Sequence, residues 1–190
     1  MKRTLPAFCL FLALPFCAQA AMFGDDPRPT VSASGASFDT VFSPGEDADK
    51  VVVKSISSAQ KSVRVAAQFF TSKPVAEALV AAKRSGKDVQ IVLDKGNDHT
   101  GTSAAPFLLA MSQPPRMAVK YDHLYASYMI IDDSKIIVGK IAGIAAADEG
   151  QKNATALLII AGAPDLAKRY LSNWQGLWDN SVEMKDDKKK

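Results

Sequence analysis

The stretch Tyr125-Ala126-Ser127-Tyr128-Met129-Ile130-Ile131-Asp132 decides how this chain is read. Aromatic and β-branched residues dominate it, which predicts a strand over residues 126–131. Asp132-Asp133-Ser134 is turn chemistry, because aspartate and serine side chains bond nearby backbone and aspartate tolerates left-handed backbone. Lys135-Ile136-Ile137-Val138 is then a second strand, so the two form a hairpin, and Val138-Gly139-Lys140-Ile141-Ala142 leads out of it.

Elements of both periods extend outward from this hairpin. Towards the C-terminus, residues 156–161 are an apolar strand and Pro164 opens a helix. Leu166, Tyr170, Trp174, Leu177 and Trp178 share one face of that helix. Towards the N-terminus, Asp47 or Asp49 caps a helix reaching about residue 61, with Val52, Ile56 and Ala59 at helical spacing. Val63, Val65, Ala67 and Phe69 alternate as a strand. Pro74 starts a helix that stops at Gly86, and residues 89–93 read as a buried parallel strand. Residues 103–112 read as helix and residues 117–121 as strand. Helices alternating with strands predict an α/β fold.

The first 20 residues stand apart. Lys2 and Arg3 precede an apolar run over residues 5–17, and Ala18-Gln19-Ala20 is a small-residue cleavage signal, which together predict a removed secretory peptide. The run is shorter than the roughly 20 residues a membrane anchor needs. A periplasmic or secreted location follows, with no stable membrane anchor. Both cysteines, Cys9 and Cys17, fall in the removed segment, which leaves no thiol chemistry. The net charge of +3 is too small to imply nucleic acid, and the lysines at residues 188–190 supply much of it. Residues 21–45, rich in Pro, Gly and Ser, read as a loose leader with one short strand around residues 30–33. Residues 46–180 are long enough for a single domain, and residues 181–190 are a charged, solvated tail.

The hairpin, the following Val138-Gly139, the Ala145-Ala146-Ala147-Asp148 run, Asn153-Ala154 before an apolar strand, and the closing Asn173-Trp174-Gln175-Gly176-Leu177-Trp178 resemble the phospholipase D superfamily in that order. The likeness is nearest to its small secreted bacterial Nuc-type endonucleases and covers roughly residues 48–178. It implies a mixed sheet flanked by helices on both faces, phosphodiester hydrolysis without a cofactor or metal, and a homodimer, since two signatures make one site. The family signature is His-x-Lys-x-x-x-x-Asp followed by Gly-Ser-x-Asn. Its histidine attacks phosphorus, while Lys and Asn hold the oxygens on which charge builds.

Carried over by position, Asp132 matches the signature aspartate, in an orienting rather than a reacting role. Tyr125 stands where the His belongs and Ser127 where the Lys belongs. Gly139 matches, but Lys140 replaces the Ser and Ala142 the Asn. The expectation is a degenerate phosphodiesterase site on a binding or structural pseudoenzyme. The alternative is an active nuclease or phospholipase using a non-standard shell or a heterodimer partner.

Four residues bear on that choice. His123 lies two before Tyr125, on the same face if the strand extends back that far, but roughly 6.5–7 Å away between Cα atoms. Its other reading is a loop histidine. Tyr125 can attack phosphorus only with a neighbouring base, since a phenol near pKa 10 stays protonated; otherwise it fills the vacated pocket. Lys140 can attract phosphate as a point charge, or be a solvated turn lysine. His99, in Lys95-Gly96-Asn97-Asp98-His99-Thr100-Gly101, is a loop residue or a rim contact to a ligand. Two distant histidines and no cysteine after residue 20 give no metal-ligand spacing, and no Gly-rich phosphate loop or nucleophile-elbow serine occurs.

Overall fold

A computed structural model describes residues 31, 33–43, 45–98, 102–141 and 154–185. The expected signal peptide, residues 21–30, 32 and 44 of the leader, His99, Ala142, the run at 145–148, Asn153 and the last five residues lie outside the described residues.

The chain runs β1 (Ser37–Ser43), α1 (Ala48–Ser57), β2 (Ser62–Ala67), α2 (Lys73–Arg84), β3 (Asp88–Asp94), α3 (Ala105–Ala110), β4 (Arg116–Ala118), β5 (Tyr128–Ile131), β6 (Lys135–Gly139), β7 (Thr155–Ala161), α4 (Pro164–Asp179) and β8 (Val182–Glu183). These strands form one sheet in the order β1-β7-β6-β5-β2-β3-β4-β8. Only β2–β3 and β3–β4 are parallel; the other pairs run antiparallel.

Local chemistry starts the helices. The Asp47 carboxylate accepts from the Lys50 amide at 2.9 Å, and Ser72 Oγ accepts from Val75 N at 3.3 Å, with Pro74 in the first turn of α2. The expected hairpin is present. Asp132 and Asp133 both take left-handed φ, 52° and 54°, and Ser134 N donates to Ile131 O at 3.1 Å.

Both faces of the sheet are covered, as the α/β reading requires. Val52, Ile56, Leu79 and Leu108 of α1, α2 and α3 pack with Val63, Val65, Ile91, Met129 and Ile131 on one face. On the other, Trp174 and Leu177 of α4 pack with Ala66, Val92, Tyr128 and Ile130. Trp174 Nε1 donates to Val65 O at 3.0 Å, which fixes this helix across the centre of the sheet.

Several boundaries differ from the sequence reading. The leader over residues 21–45 ends early: residues 37–43 are an edge strand held wholly by long-range pairing with β7. The described residues of 30–33 are not strand. The first helix stops at Ser57 rather than 61, because the amides of residues 60–62 are taken by Asp132. The expected strands 126–131 and 117–121 shorten to β5 and β4, the helix 103–112 shortens to α3, and β8 lies beyond residue 180.

Candidate functional site

The register of the sheet places the signature segment. Ala66 pairs with Tyr128 and Tyr128 with Val138, so β2 ends, β5 begins and β6 ends at the same edge of the molecule. Residues 123–127 approach that edge without strand pairing of their own, although Gly139 N donates to Ser127 O at 3.1 Å. This bond carries the hairpin register one step further and sets Ser127 beside Gly139. Gly139 has φ +125°, and a Cβ there would collide with the Ala156 carbonyl oxygen. Only glycine fits, so the position is fixed sterically.

Tyr125, Ser127 and Lys140 therefore share one end of the sheet. Tyr125 is 72% exposed, Lys140 is exposed and Ser127 is half-buried. The strand does not extend back to His123, yet the His123 and Tyr125 rings meet, with centroids 5.6 Å apart and tilted by 47°. Two open clefts lie among the described residues, the second of them reaching Tyr128 through Tyr170 and Asn173. One, of about 620 Å³, runs between α2 and α3 along Val80, Arg84, Phe107 and Met111; the other, of about 340 Å³, follows Leu166, Arg169, Tyr170 and Asn173 of α4. Neither is lined by Tyr125, Ser127 or Lys140, so the aromatic at 125 projects to solvent rather than filling a pocket. Among the described residues, no cluster of His, Cys, Asp and Glu is arranged to hold a metal.

Asp132 does not belong to this end. The four residues of β5 alone span about 13 Å, and Asp132 sits at the far side of them. Its carboxylate accepts from the backbone amides of Gln60 at 2.8 Å, Lys61 at 2.7 Å and Ser62 at 3.0 Å. Partial burial pushes this carboxyl up, but the three amides, helped by the Lys61 charge, outweigh it and hold it below the usual carboxylate range. Asp132 is thus a brace between α1 and β2, and among the described residues its carboxylate bonds lie a strand's length from Tyr125 and Ser127.

Two residues given no role in the sequence reading hold the segment that carries the site. Asp94, at the end of β3, is 7% exposed and accepts from Leu124 N at 2.6 Å and Gly96 N at 2.9 Å. It anchors the segment that carries His123 and Tyr125. Asn97 accepts from Phe70 N at 3.0 Å and donates to Gln68 O at 2.6 Å and Asp94 O at 2.9 Å. Together they tie the chain after β2, the 3₁₀ turn Lys95–Asp98 and the approach to β5. The signal was available in Asp94-Lys95-Gly96-Asn97, a turn sequence directly after an apolar strand. Below Ser127, the Tyr128 hydroxyl donates to Asn173 Oδ1 at 2.5 Å, and its ring meets Tyr170 edge-on at 4.9 Å. Burial pushes this phenol well above its ordinary pKa, with Tyr170 adding to the effect, so it stays a protonated donor.

A family model described as "Cardiolipin synthase, PLD-like domain" matches residues 52–178. This chain belongs to the phospholipase D superfamily. Proteins named phospholipase D from Rickettsia bellii and Rickettsia conorii are each 30% identical to it over 139 residues, which is 71% of this chain and 66% of theirs. The chain thus spans just under two thirds of these relatives. Nuc from Salmonella typhimurium, a phospholipase D family member, superposes with a TM-score of 0.71 at 29% identity, over 80% of this chain and 99% of that one. NucT from Helicobacter pylori shares the fold at a TM-score of 0.65 and 21% identity, over 78% and 99%. The superfamily fold is therefore present as a single Nuc-like domain, and the family's chemistry is phosphodiester hydrolysis of the phospholipase D or nuclease type.

Proposed function

We propose that this protein is an exported, Nuc-like member of the phospholipase D superfamily that has lost phosphodiester hydrolysis and acts by binding. The observation that carries the reading is the register at the head of β5. Ser127 lies against Gly139 and Tyr128 pairs with Val138, a register that supports reading Tyr125 and Ser127 at the signature His and Lys positions. A phenol and a hydroxyl supply neither a nucleophile at neutral pH nor a cation for the phosphoryl oxygens. Acid–base and electrostatic effects are each worth a factor of about 10²–10⁴ in rate, so losing both removes measurable turnover. Exposed Lys140 remains as a point charge for phosphate, and two copies of the chain form the unit, in keeping with family practice.

The test is turnover of a chromogenic phosphodiester and of plasmid DNA by pure protein. The expected result is none above buffer, with weak phosphate or oligonucleotide binding at low salt that Lys140→Glu abolishes. A second reading has one observation behind it: the His123 ring beside Tyr125 is a candidate base for that phenol. Turnover that disappears in Tyr125→Phe or His123→Ala would sink the first reading in favour of the second. No gain on mixing with an intact superfamily member would dispose of a heterodimer.

A further inference from the structure

β1 is the outer strand of the sheet, and its sequence Ser37-Phe38-Asp39-Thr40-Val41-Phe42-Ser43 is rich in residues that favour strands. At seven residues it is about 23 Å long. A free edge of that length templates pairing with another chain, and Phe38 and Phe42, 66% and 57% exposed, would reward it. The opposite edge, β8, has two residues and offers no such template.

The polar groups of β1 are treated unequally. In an antiparallel ladder alternate residues turn both backbone groups towards the neighbour or away from it. Phe42 turns away from β7: its N–H donates to Glu46 Oε2 at 2.8 Å, and its carbonyl accepts from Glu46 N at 3.0 Å. Glu46 thereby meets both outward groups of Phe42, as a residue on an adjoining strand would. Two residues earlier, the Thr40 N–H donates to Asp39 Oδ1 at 2.9 Å. Both outward amides in the second half of the strand are engaged by the protein's own carboxylates. The two carboxylates also place negative charge along the edge, where a second copy would bring the same charge against it.

We propose that Glu46, assisted by Asp39, is a latch that closes the β1 edge to strand addition, and that releasing it makes this edge pair with β1 of a second copy. The proposal is independent of the chemistry at the candidate site. It concerns the edge of the sheet and leaves open which other surface the family-type dimer uses.

The test combines amide exchange by NMR with sedimentation of the full chain. In the native protein the Phe42 amide should be protected although it lies on an open edge. Glu46→Ala should raise its exchange roughly tenfold at low concentration, the loss of one ordinary hydrogen bond. Glu46→Gln, whose amide oxygen still accepts, should keep most of the protection. Asp39→Ala/Glu46→Ala should form species larger than the native one as concentration rises, with Phe42 protected again in them. A Phe42 amide that exchanges freely in the native protein would overturn the latch. So would a folded double variant with the native size distribution at every concentration. If the double variant does not fold, equal Phe42 exchange in Glu46→Ala and Glu46→Gln overturns it.

Discussion

Asp132 and Asp49 are both acids at helix ends, yet the fold treats them in opposite ways. Three amides hold Asp132 in its charged form, so its folded pKa lies below the unfolded one. Its contribution is complete above the usual carboxylate pKa near 4 and is lost as pH falls below that range through the depressed folded value. Asp132→Ala should cost about 2 kcal/mol at pH 7 in urea unfolding, with the difference shrinking as pH falls below 4. Asp49 is buried at the start of α1, where Oδ2 accepts from the Ser72 hydroxyl at 2.6 Å and Oδ1 has no partner among the described residues. Burial raises its pKa, the Ser72 bond opposes this, and nearby Asp47 adds to the rise. Here the sign reverses: the folded state binds the proton more tightly than the unfolded chain. Stability linked to Asp49 is therefore present at low pH and is lost as pH rises from the ordinary carboxylate range through the raised value. Asp49→Asn should lack that loss, so native stability should fall relative to the variant between pH 4 and pH 7 in parallel unfolding titrations.

Among the elements, the β5–β6 hairpin and the segment leading into it carry the site. Gly139 is the sterically tightest point, with positive φ and the Ala156 carbonyl in the way of any Cβ. Gly139→Ala should cost about 2–4 kcal/mol by thermal or chemical unfolding, well above an ordinary surface substitution. Asp94 works through the loop instead. Asp94→Ala leaves the Leu124 and Gly96 amides without their acceptor, and the expected result is faster exchange at Leu124 and cleavage within residues 119–127 by limited proteolysis. An unchanged Leu124 amide would show that the segment is held by other means. Helix α4 depends on Trp174, 2% exposed and bonded to Val65 O, so Trp174→Ala should cost about 3–5 kcal/mol.

At the scale of the whole molecule, the sheet is a two-sided core with the candidate site at one end and the β1 edge along one side. Much of this was legible in advance. Val89 to Leu93 is largely apolar, with only Gln90 polar, because both faces of β3 are covered, and Met129 to Ile131 is apolar for the same reason. The turn residues Asp132 and Asp133 marked the hairpin because few other side chains accept left-handed backbone. β1 was not legible: Asp39 and Thr40 interrupt its apolar pattern, and only pairing with β7, more than a hundred residues later, makes it a strand. For Asp94 and Asn97 the turn sequence was legible but the role was not, since their partners, Leu124 and Phe70, are neighbours in space and not in sequence.

The sequence alone was enough for the hairpin, the α/β class and the family, because periodicity, turn preference and motif order are local properties of a chain. Tertiary structure alone decided that Asp132 braces the far end of the sheet while Tyr125, Ser127 and Lys140 share the near one. It also decided that His123 lies against Tyr125. A strand carries residues seven apart to opposite ends of a sheet, and loops from different strands meet only when the sheet has assembled.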